Sequence, residues 1–181
     1  MELLDYYIQS SNRSDKGKEH NYIQWWYDKE FSQRREEELN ILEIGIFNGQ
    51  SIKLWREFFP NARITAIDVE LKEEAQFVKH LDVNLIIGNA YDTTITDTIT
   101  EKYDYIIDDG PHTIDSQLEF VKLYNTKLKE GGKLIIEDID NWNRDNHKFT
   151  NLASTCNMKV EGGPIEHYPR KHDNCLIIYT K

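Results

Sequence analysis

Short apolar runs alternate along this chain with longer segments in which apolar residues recur every three or four positions. The apolar runs predict strands at about 40–45, 63–68, 84–88, 103–108 and 133–137. The segments between them predict helices at about 50–58, 71–80, 92–100 and 114–129. Runs such as Ile64–Ile67 and Leu134–Ile136 are almost continuously apolar, which is typical of strands covered by helices on both faces. The pattern therefore predicts an α/β fold built on a mostly parallel sheet.

The two ends of the chain depart from this alternation. Residues 1–17 are polar and predict at most a short helix, whereas Glu19–Glu38 predicts a helix with aromatic residues at Tyr22, Trp25, Trp26 and Phe31. Packing of an amphipathic helix on the core is the favoured role for these aromatics, and the alternative is an acceptor lid formed by residues 1–38. Near the other end, Met158–Glu161 and Cys175–Thr180 predict an antiparallel hairpin at the sheet edge. Seven strands in a single domain, residues 1–181, are expected.

Composition narrows the classes of function. The 181 residues are 39% hydrophobic and 30% charged, and the formal net charge is −10. Such an acidic surface argues against a nucleic acid partner, and the only basic cluster after the middle of the chain is Arg170–His172. The chain shows no signal peptide and no apolar run of about 20 residues, and its two cysteines lack metal-ligand spacing. We therefore expect a cytoplasmic protein that does not bind membranes.

The first strand leads into a glycine turn that carries an acid. The turn contains Glu43, Gly45 and Gly49, and the next segment continues as a helix. Strand, glycine turn and helix present open backbone to a nucleotide-like ligand at the carboxyl edge of an α/β sheet. Dinucleotide fingerprints have glycine near the position of Glu43, where a pyrophosphate approaches, and a carboxylate there attracts a cation instead. S-adenosylmethionine (SAM) carries a sulfonium and an ammonium group, so the sign of the charge favours SAM and a methyltransferase.

Polar side chains also follow the second and third strands. Asp68 lies about twenty residues after the glycine turn, where a carboxylate can accept hydrogen bonds from both ribose hydroxyls of an adenosine. The alternative is that Asp68 caps the helix that follows it. Beside the glycine turn, the ribose role is the favoured one. Asn89 either contacts the edge of the adenine through its side-chain amide or serves as a turn residue, and the two roles are almost equally supported.

Acidic residues end the fourth and fifth strands. Asp109 follows the fourth strand, and Glu137 and Asp138 follow the fifth. Because these strands should be neighbours in a parallel sheet, the carboxylates would crowd one edge, and their repulsion needs a cation. Oxygen ligands without cysteine favour a hard ion, with Mg²⁺ first. The alternative, which is equally supported by the residues alone, is that Asp109 and Asp138 cap turns and remain solvated.

One histidine lies beside these acids. His112 follows Asp109 by three residues on the same loop. Its ordinary pKa is close to neutrality, so it can take a proton from a substrate hydroxyl. A lone histidine is more often structural, and only its position beside the acids makes His112 a candidate general base.

Several spaced motifs together resemble a known family. Over residues 14–139 the chain is similar to class I SAM-dependent methyltransferases, and most of all to metal-dependent macrolide sugar O-methyltransferases of the mycinamicin and macrocin type. The motifs that carry the resemblance are Ser14–Tyr22, Leu42–Gly49, Ile67–Asp68, Ile106–His112 and Gly131–Asp138. The step of 28 residues from Asp109 to Glu137 equals the ligand spacing of the family. Pro111 departs from it, because the family commonly has a small polar residue before the histidine.

The resemblance implies a role for each candidate residue. It implies a Rossmann-like sheet of seven strands, SAM as cofactor, and a divalent metal, with Mg²⁺ as the first choice. The cofactor-binding residues would be Glu43, Gly45, Gly49, Asp68, Asn89 and Asp108; the metal ligands would be Asp109, Glu137 and Asp138; and the general base would be His112. The family often forms homo-oligomers, and the aromatic N-terminal helix is the expected contact surface.

The expected function is SAM-dependent O-methylation of a hydroxyl on a sugar or a small polyol. Within methyltransferases, the alternative is a catechol-like small-molecule enzyme. Two further alternatives are a SAM- or nucleotide-binding module without turnover and an oxidoreductase on a similar sheet. Tight NAD binding without SAM binding would favour the oxidoreductase.

Overall fold

The chain forms one mixed sheet of seven strands. The computed structural model describes residues 1–164 and 175–181. The strands are β1 (Asn40–Ile44), β2 (Arg63–Asp68), β3 (Asn84–Ile87), β4 (Tyr103–Asp108), β5 (Leu128–Ile136), β6 (Lys159–Pro164) and β7 (Cys175–Thr180). Their order across the sheet is β3-β2-β1-β4-β5-β7-β6. The first five strands pair in parallel, and β7 runs antiparallel to both β5 and β6. The predicted fold class, including the antiparallel C-terminal strands, is confirmed.

Helical segments connect these strands. The α-helices are α1 (Leu3–Gln9), α2 (Asp15–Lys18), α3 (Asp28–Phe31), α4 (Gln50–Phe58), α5 (Thr93–Thr96), α6 (Ile114–Tyr124) and α7 (Trp142–Thr155). Shorter turns are a π-helix at Ile23–Tyr27 and 3₁₀-helices at Ser32–Arg34, Glu73–His80 and Asn125–Lys127. No helix in the described part of the chain is long and apolar enough to span a bilayer. The basic cluster Arg170–His172 lies outside the described residues.

Some boundaries differ from the sequence-based prediction. The helix expected at 92–100 is limited to Thr93–Thr96, because its threonines are β-branched and form helices poorly. The helix expected at 114–129 ends at Tyr124, and β5 already begins at Leu128. Helix α7 was not predicted at all, since its polar residues outnumber its apolar ones.

The N-terminal segment covers one face of the sheet. Tyr27 and Phe31 are fully buried and pack against Trp55 of α4, with ring centroids 5.3 Å apart in both cases. Phe31 also meets Tyr105 of β4 at 4.8 Å. Of the four predicted aromatic residues, Tyr22 and Phe31 are core as expected, Trp26 is partly buried, and Trp25 is 40% exposed, so the core role is confirmed only in part. Helices α6 and α7 cover the opposite face.

Strand register brings the carboxyl ends of the central strands level. Ile44 of β1 lies opposite Asp108 of β4, and Asp108 lies opposite Ile136 of β5. The chain order reverses between β1 and β4, which is where α/β sheets open a crevice for ligands. Gly45 turns the chain away at this point with φ +93°, and a Cβ here would overlap the carbonyl oxygen of Asp109. The glycine is thus required by both the turn and the close approach of two loops.

Replacing this glycine should therefore destabilise the fold. We expect Gly45→Ala to lower the free energy of unfolding by roughly 3 kcal/mol, because a left-handed backbone and a backbone overlap add together. Gly131→Ala is the matched control, since Gly131 also has positive φ but its Cβ would meet nothing within 4 Å. The control should lose only roughly 1 kcal/mol in urea unfolding. Equal losses in the two variants would show that the overlap with Asp109 is unimportant.

Candidate functional site

A cavity of about 580 Å³ opens at the carboxyl edge of the sheet. This volume is typical of sites for small molecules. The loops after β1, β2, β3 and β4 form its walls, and Ser14 and Asp15 of the N-terminal segment also line it. Among the predicted site residues, those that line the cavity are Gly45, Asp68, Asn89, Asp109 and His112.

Asp68 joins the glycine turn to the second strand. Its Oδ2 accepts hydrogen bonds from the backbone N–H groups of Ile46, at 2.7 Å, and Phe47, at 3.3 Å. Its Oδ1 has only a long contact of 3.5 Å with the N–H of Glu70. One oxygen therefore shapes the turn while the other can accept a hydrogen bond from a ligand hydroxyl in the cavity.

Asn89 and Asp108 have partners within the protein. The Oδ1 atom of Asn89 accepts from the N–H of Tyr91 at 3.1 Å, as in a turn, and its amide nitrogen remains available at the cavity wall. Asp108 is buried and accepts a hydrogen bond from the hydroxyl of Tyr91 through Oδ1, whereas Oδ2 has no partner. Burial is the main reason that the pKa of Asp108 rises to about 7.

The structure places Glu43 and Gly49 away from the cavity wall. Glu43 is fully buried beneath the glycine turn, where it accepts hydrogen bonds from Ser51 Oγ, at 2.6 Å, and from Trp55 Nε1. Gly49 starts α4 with φ +76°, and a Cβ there would press against Val78 and Phe77. The direct contacts expected between these two residues and the methionine end of SAM therefore do not follow from the geometry. Their visible role is to shape the turn.

Asp109 and His112, which line the cavity, come together with Asp138, a buried residue that does not line it. His112 Nε2 lies 3.1 Å from Asp109 Oδ1 and 3.5 Å from Asp138 Oδ2. One potential ligand atom from each residue lies within 4.8 Å of the other two. The two carboxylates suit Mg²⁺ or Mn²⁺, so these acids fit a divalent ion at this point, with His112 beside them.

Glu137, the third predicted metal ligand, faces a different partner. Its Oε2 accepts a hydrogen bond from Lys16 Nζ at 2.6 Å, and its Oε1 accepts one from the hydroxyl of Tyr27. Lys16 also contacts Asp109 Oδ2 at 2.6 Å and lies 3.6 Å from Glu43 Oε1. The cation that compensates the crowded acids in this structure is therefore the buried Lys16 ammonium. Both oxygens of Glu137 are already occupied by the protein.

The π-helix at Ile23–Tyr27 supports the fifth-strand acids. Tyr22, which precedes this turn, donates a hydrogen bond to Asp138 Oδ1 at 2.6 Å, and Tyr27, which ends it, donates to Glu137. These tyrosines are five residues apart, and hydrogen bonds in a π-helix span five residues. Two phenols thus reach two consecutive carboxylates.

Electrostatics sets the charge of each group in the cluster. Burial lowers the pKa of His112, but its hydrogen bond to Asp109 and the charges of Asp138 and Asp109 outweigh that effect and raise the pKa to about 8. Burial, together with the charge of Asp109, raises the pKa of Asp138 to about 6. Burial disfavours the Lys16 ammonium, but the three surrounding carboxylates raise its pKa well above the ordinary value. The surrounding carboxylates therefore favour the ammonium form of Lys16.

Three residues of the site have left-handed backbones. Six non-glycine residues in the described ranges have positive φ, and Phe47, His112 and Asp138 are three of them. Residues other than Gly, Asn and Asp rarely adopt such conformations, and the residues that do are concentrated at functional sites. Here they re-aim the chain just after β1, β4 and β5. Pro111, the departure from the family pattern, immediately precedes one of them.

Sequence reasoning missed Lys16, Tyr22 and Tyr27 as parts of the site. Lys16 and Tyr22 fall in the Ser14–Tyr22 motif, which supported the resemblance but suggested no role for either side chain. The available signal was general: a predicted surplus of carboxylates needs a cation, but the sequence does not show that this cation is Lys16. Tyr27 gave no signal beyond its place in an aromatic helix.

Comparisons with known proteins agree with this geometry. No model of a known protein family matches the chain. Mycinamicin VI 2''-O-methyltransferase of Micromonospora griseorubida is 30% identical over 132 residues, which are 65% of this chain and 32% of that protein. Demethylmacrocin O-methyltransferase of Streptomyces fradiae is 28% identical over 123 residues, which are 62% of this chain and 30% of that protein. The chain thus spans about a third of the length of the curated relatives it matches.

Solved structures show the same fold. MycE methyltransferase from the mycinamycin biosynthetic pathway, solved with Mg, SAH and mycinamycin VI, has a TM-score of 0.73 and 18% identity. The match covers 99% of this chain and 54% of that chain. The chain has the MycE methyltransferase fold. The fold and the similarity to macrolide sugar O-methyltransferases both confirm the resemblance found in the sequence.

The raised pKa of His112 is directly measurable. In protein free of divalent ions, we expect the imidazole of His112 to titrate at about 8 by NMR. Asp138→Asn removes one of the negative charges that stabilise the imidazolium, so it should lower this pKa. Asp140→Asn, which neutralises an exposed acid of the same loop, is the control and should leave it unchanged. If the pKa of His112 were the same in Asp138→Asn as in wild type, the observed geometry would be contradicted.

Proposed function

We propose that this chain is a SAM-dependent, metal-dependent O-methyltransferase that acts on a hydroxyl of a sugar or another small polyol. The observation that carries the proposal is that Asp109 and His112 line the same cavity as Gly45 and Asp68. His112, which can remove a proton, and Asp68, which suits a ribose, thus line one cavity. The similarity to enzymes named for macrolide sugars supports the choice of acceptor.

Each side of the cavity has its own task in this proposal. Gly45 presents its backbone to the cofactor at the cavity wall, Asp68 Oδ1 accepts from the ribose, and Asn89 faces the adenine. Asp109 and Asp138 would hold the divalent ion, with Glu137 as a further ligand only if Lys16 releases it. A bound divalent ion would supply Lewis-acid polarisation of the acceptor hydroxyl.

His112 acts as the general base. SAM would supply the methyl group as its bond between carbon and sulfur breaks, and His112 would take the hydroxyl proton on the ring nitrogen that is not donating to Asp109. S-adenosylhomocysteine and the methyl ether are the products. His112 must be neutral to act, and the carboxylates beside it help to accommodate the charge that it acquires.

The N-terminal segment, residues 1–38, borders the acceptor side of the cavity in this proposal. Ser14 and Asp15 line the cavity, Lys16 contacts Asp109 in its wall, and Tyr22 contacts the buried Asp138. This supports part of the lid interpretation, because the segment contributes to the wall while most of its aromatic residues form core. A homo-oligomer remains a prediction.

The acceptor class can be tested with labelled SAM. We expect mass spectrometry to detect methylation of free sugars or glycosides in a panel that also contains catechols and small polyols. Methylation of catechols alone would favour the alternative enzyme. Calorimetry that shows SAM binding with no methylation of any acceptor would favour a binding module, and NAD binding without SAM binding would contradict the proposal.

Substitution of the base should separate chemistry from cofactor binding. We expect His112→Ala to reduce kcat by about 10²- to 10⁴-fold, because a positioned general base contributes this much. SAM affinity measured by calorimetry should remain close to wild type. His147→Ala, an exposed histidine on α7, is the control. Full activity in the His112 variant would remove its assigned role.

Metal removal should have a similarly selective effect. Exhaustive chelation is expected to abolish turnover, while the Kd for SAM changes by less than about threefold, since the ribose and backbone contacts do not need the ion. Added Mg²⁺ or Mn²⁺ should restore activity. Turnover that survives chelation would show that Asp109 and Asp138 serve another purpose.

A further inference from the structure

The two acids beside His112, Asp109 and Asp138, are held in the same way. Asp109 Oδ2 accepts a hydrogen bond from Lys16 Nζ at 2.6 Å, and Asp109 Oδ1 lies 3.1 Å from His112 Nε2. Asp138 Oδ1 accepts a hydrogen bond from the hydroxyl of Tyr22 at 2.6 Å, and Asp138 Oδ2 lies 3.5 Å from His112 Nε2. In each acid, one oxygen is occupied by the N-terminal segment and the other faces His112. Asp109, His112 and Asp138 are also the three residues whose side chains lie close enough together to hold a metal ion.

The turn that carries Lys16 is anchored from several directions. Asn12 Oδ1 accepts from the N–H of Ser14 at 2.8 Å, and Asn12 Nδ2 donates to the carbonyl of Gln50 at 3.0 Å. Tyr7 donates to the carbonyl of Ser14 at 2.9 Å, and Gln24 donates to the carbonyl of Gly17 at 3.1 Å. The ammonium is therefore carried by a fixed backbone, and Lys16 is 0% exposed.

From this arrangement we infer that Lys16 and Tyr22 are positioning residues that orient Asp109 and Asp138 for a divalent metal ion. The inference rests on the proposed function and adds two residues to it. Each residue occupies the inner oxygen of one acid and so fixes the carboxylate plane, which presents the outer oxygen to the shared site. Partners that orient metal ligands typically affect metal affinity by about 10- to 100-fold.

Charge and orientation make opposite predictions for Lys16. If the ammonium only neutralises the acids, its removal makes the site more negative and strengthens binding of a divalent cation. If it orients Asp109, its removal weakens binding. Lys16→Met combined with Glu43→Gln removes one positive and one negative charge together, so the net charge stays at the wild-type value. Glu43 lies 3.6 Å from Lys16 and offers no atom to the Asp109, His112 and Asp138 group.

Tyr22 provides a test without any change in charge. Tyr22→Phe removes only the hydroxyl that donates to Asp138. Tyr27→Phe is the matched control, because Tyr27 is equally buried and lies in the same segment, but its hydroxyl donates to Glu137. A general loss of stability would affect both variants alike.

The experiment is a titration with Mn²⁺ alone, followed by electron paramagnetic resonance, on wild type and the four variants. We expect Mn²⁺ binding at least about tenfold weaker in Lys16→Met/Glu43→Gln and in Tyr22→Phe, and close to wild type in Tyr27→Phe. The single variant Lys16→Met should also bind more weakly. Circular dichroism reports folding, and the charge-matched double variant remains informative if the single Lys16 variant does not fold.

The outcomes separate this inference from the proposed function. Suppose that wild type binds Mn²⁺ and that the double variant and Tyr22→Phe bind it with the same affinity. This result would overturn the positioning role and leave the proposed function intact. Tighter binding after loss of Lys16 would show a role in charge only. Equal losses in Tyr22→Phe and Tyr27→Phe would also overturn it. Wild type that binds no Mn²⁺ would overturn both the metal part of the proposed function and this inference.

Discussion

Burial of like charges at the ends of three neighbouring strands is the constraint on which the site depends. Glu43, Asp109 and Glu137 lie at the ends of β1, β4 and β5. The parallel register of these strands fixes the three acids close together. Carboxylates this close cannot remain ionised together without compensation. The Lys16 ammonium supplies it, with contacts to all three acids at 3.6 Å or less. The N-terminal turn is therefore needed electrostatically as well as for packing.

The site consequently has two halves of different origin. The sheet provides the acids and the glycine turn, which lie where the strand order reverses. The segment before the sheet provides an ammonium and two phenols, which occupy the inner oxygens of those acids. Only the outer oxygens, those of Asp109 and Asp138, remain beside His112. This division explains how a cluster of buried charges can be both stable and open to a ligand on one side.

The sequence was most informative where the periodicity of apolar residues is strong. The parallel strands and α4 were predicted within a few residues, and the strand-end positions of Asp68 and Asp109 followed from them. Helix α7 was missed because its few apolar positions give a weak signal. The fate of Glu43 and Glu137 could not be predicted, because residue type and spacing show that acids converge but not which oxygens are already bonded. Lys16 is distant in sequence from the acids that it meets, so only the tertiary structure reveals the pairing.

Because of the π-helix at Ile23–Tyr27, part of the site depends on the exact number of residues in this turn. In an α-helix, each hydrogen bond spans four residues, and positions five apart point in different directions. The wider turn is what brings the hydroxyls of Tyr22 and Tyr27 to adjacent acids. Deletion of one residue here would restore ordinary helical geometry and withdraw one phenol without altering either tyrosine. A homologue could therefore retain every side chain of the cluster and still lose its arrangement through a single gap.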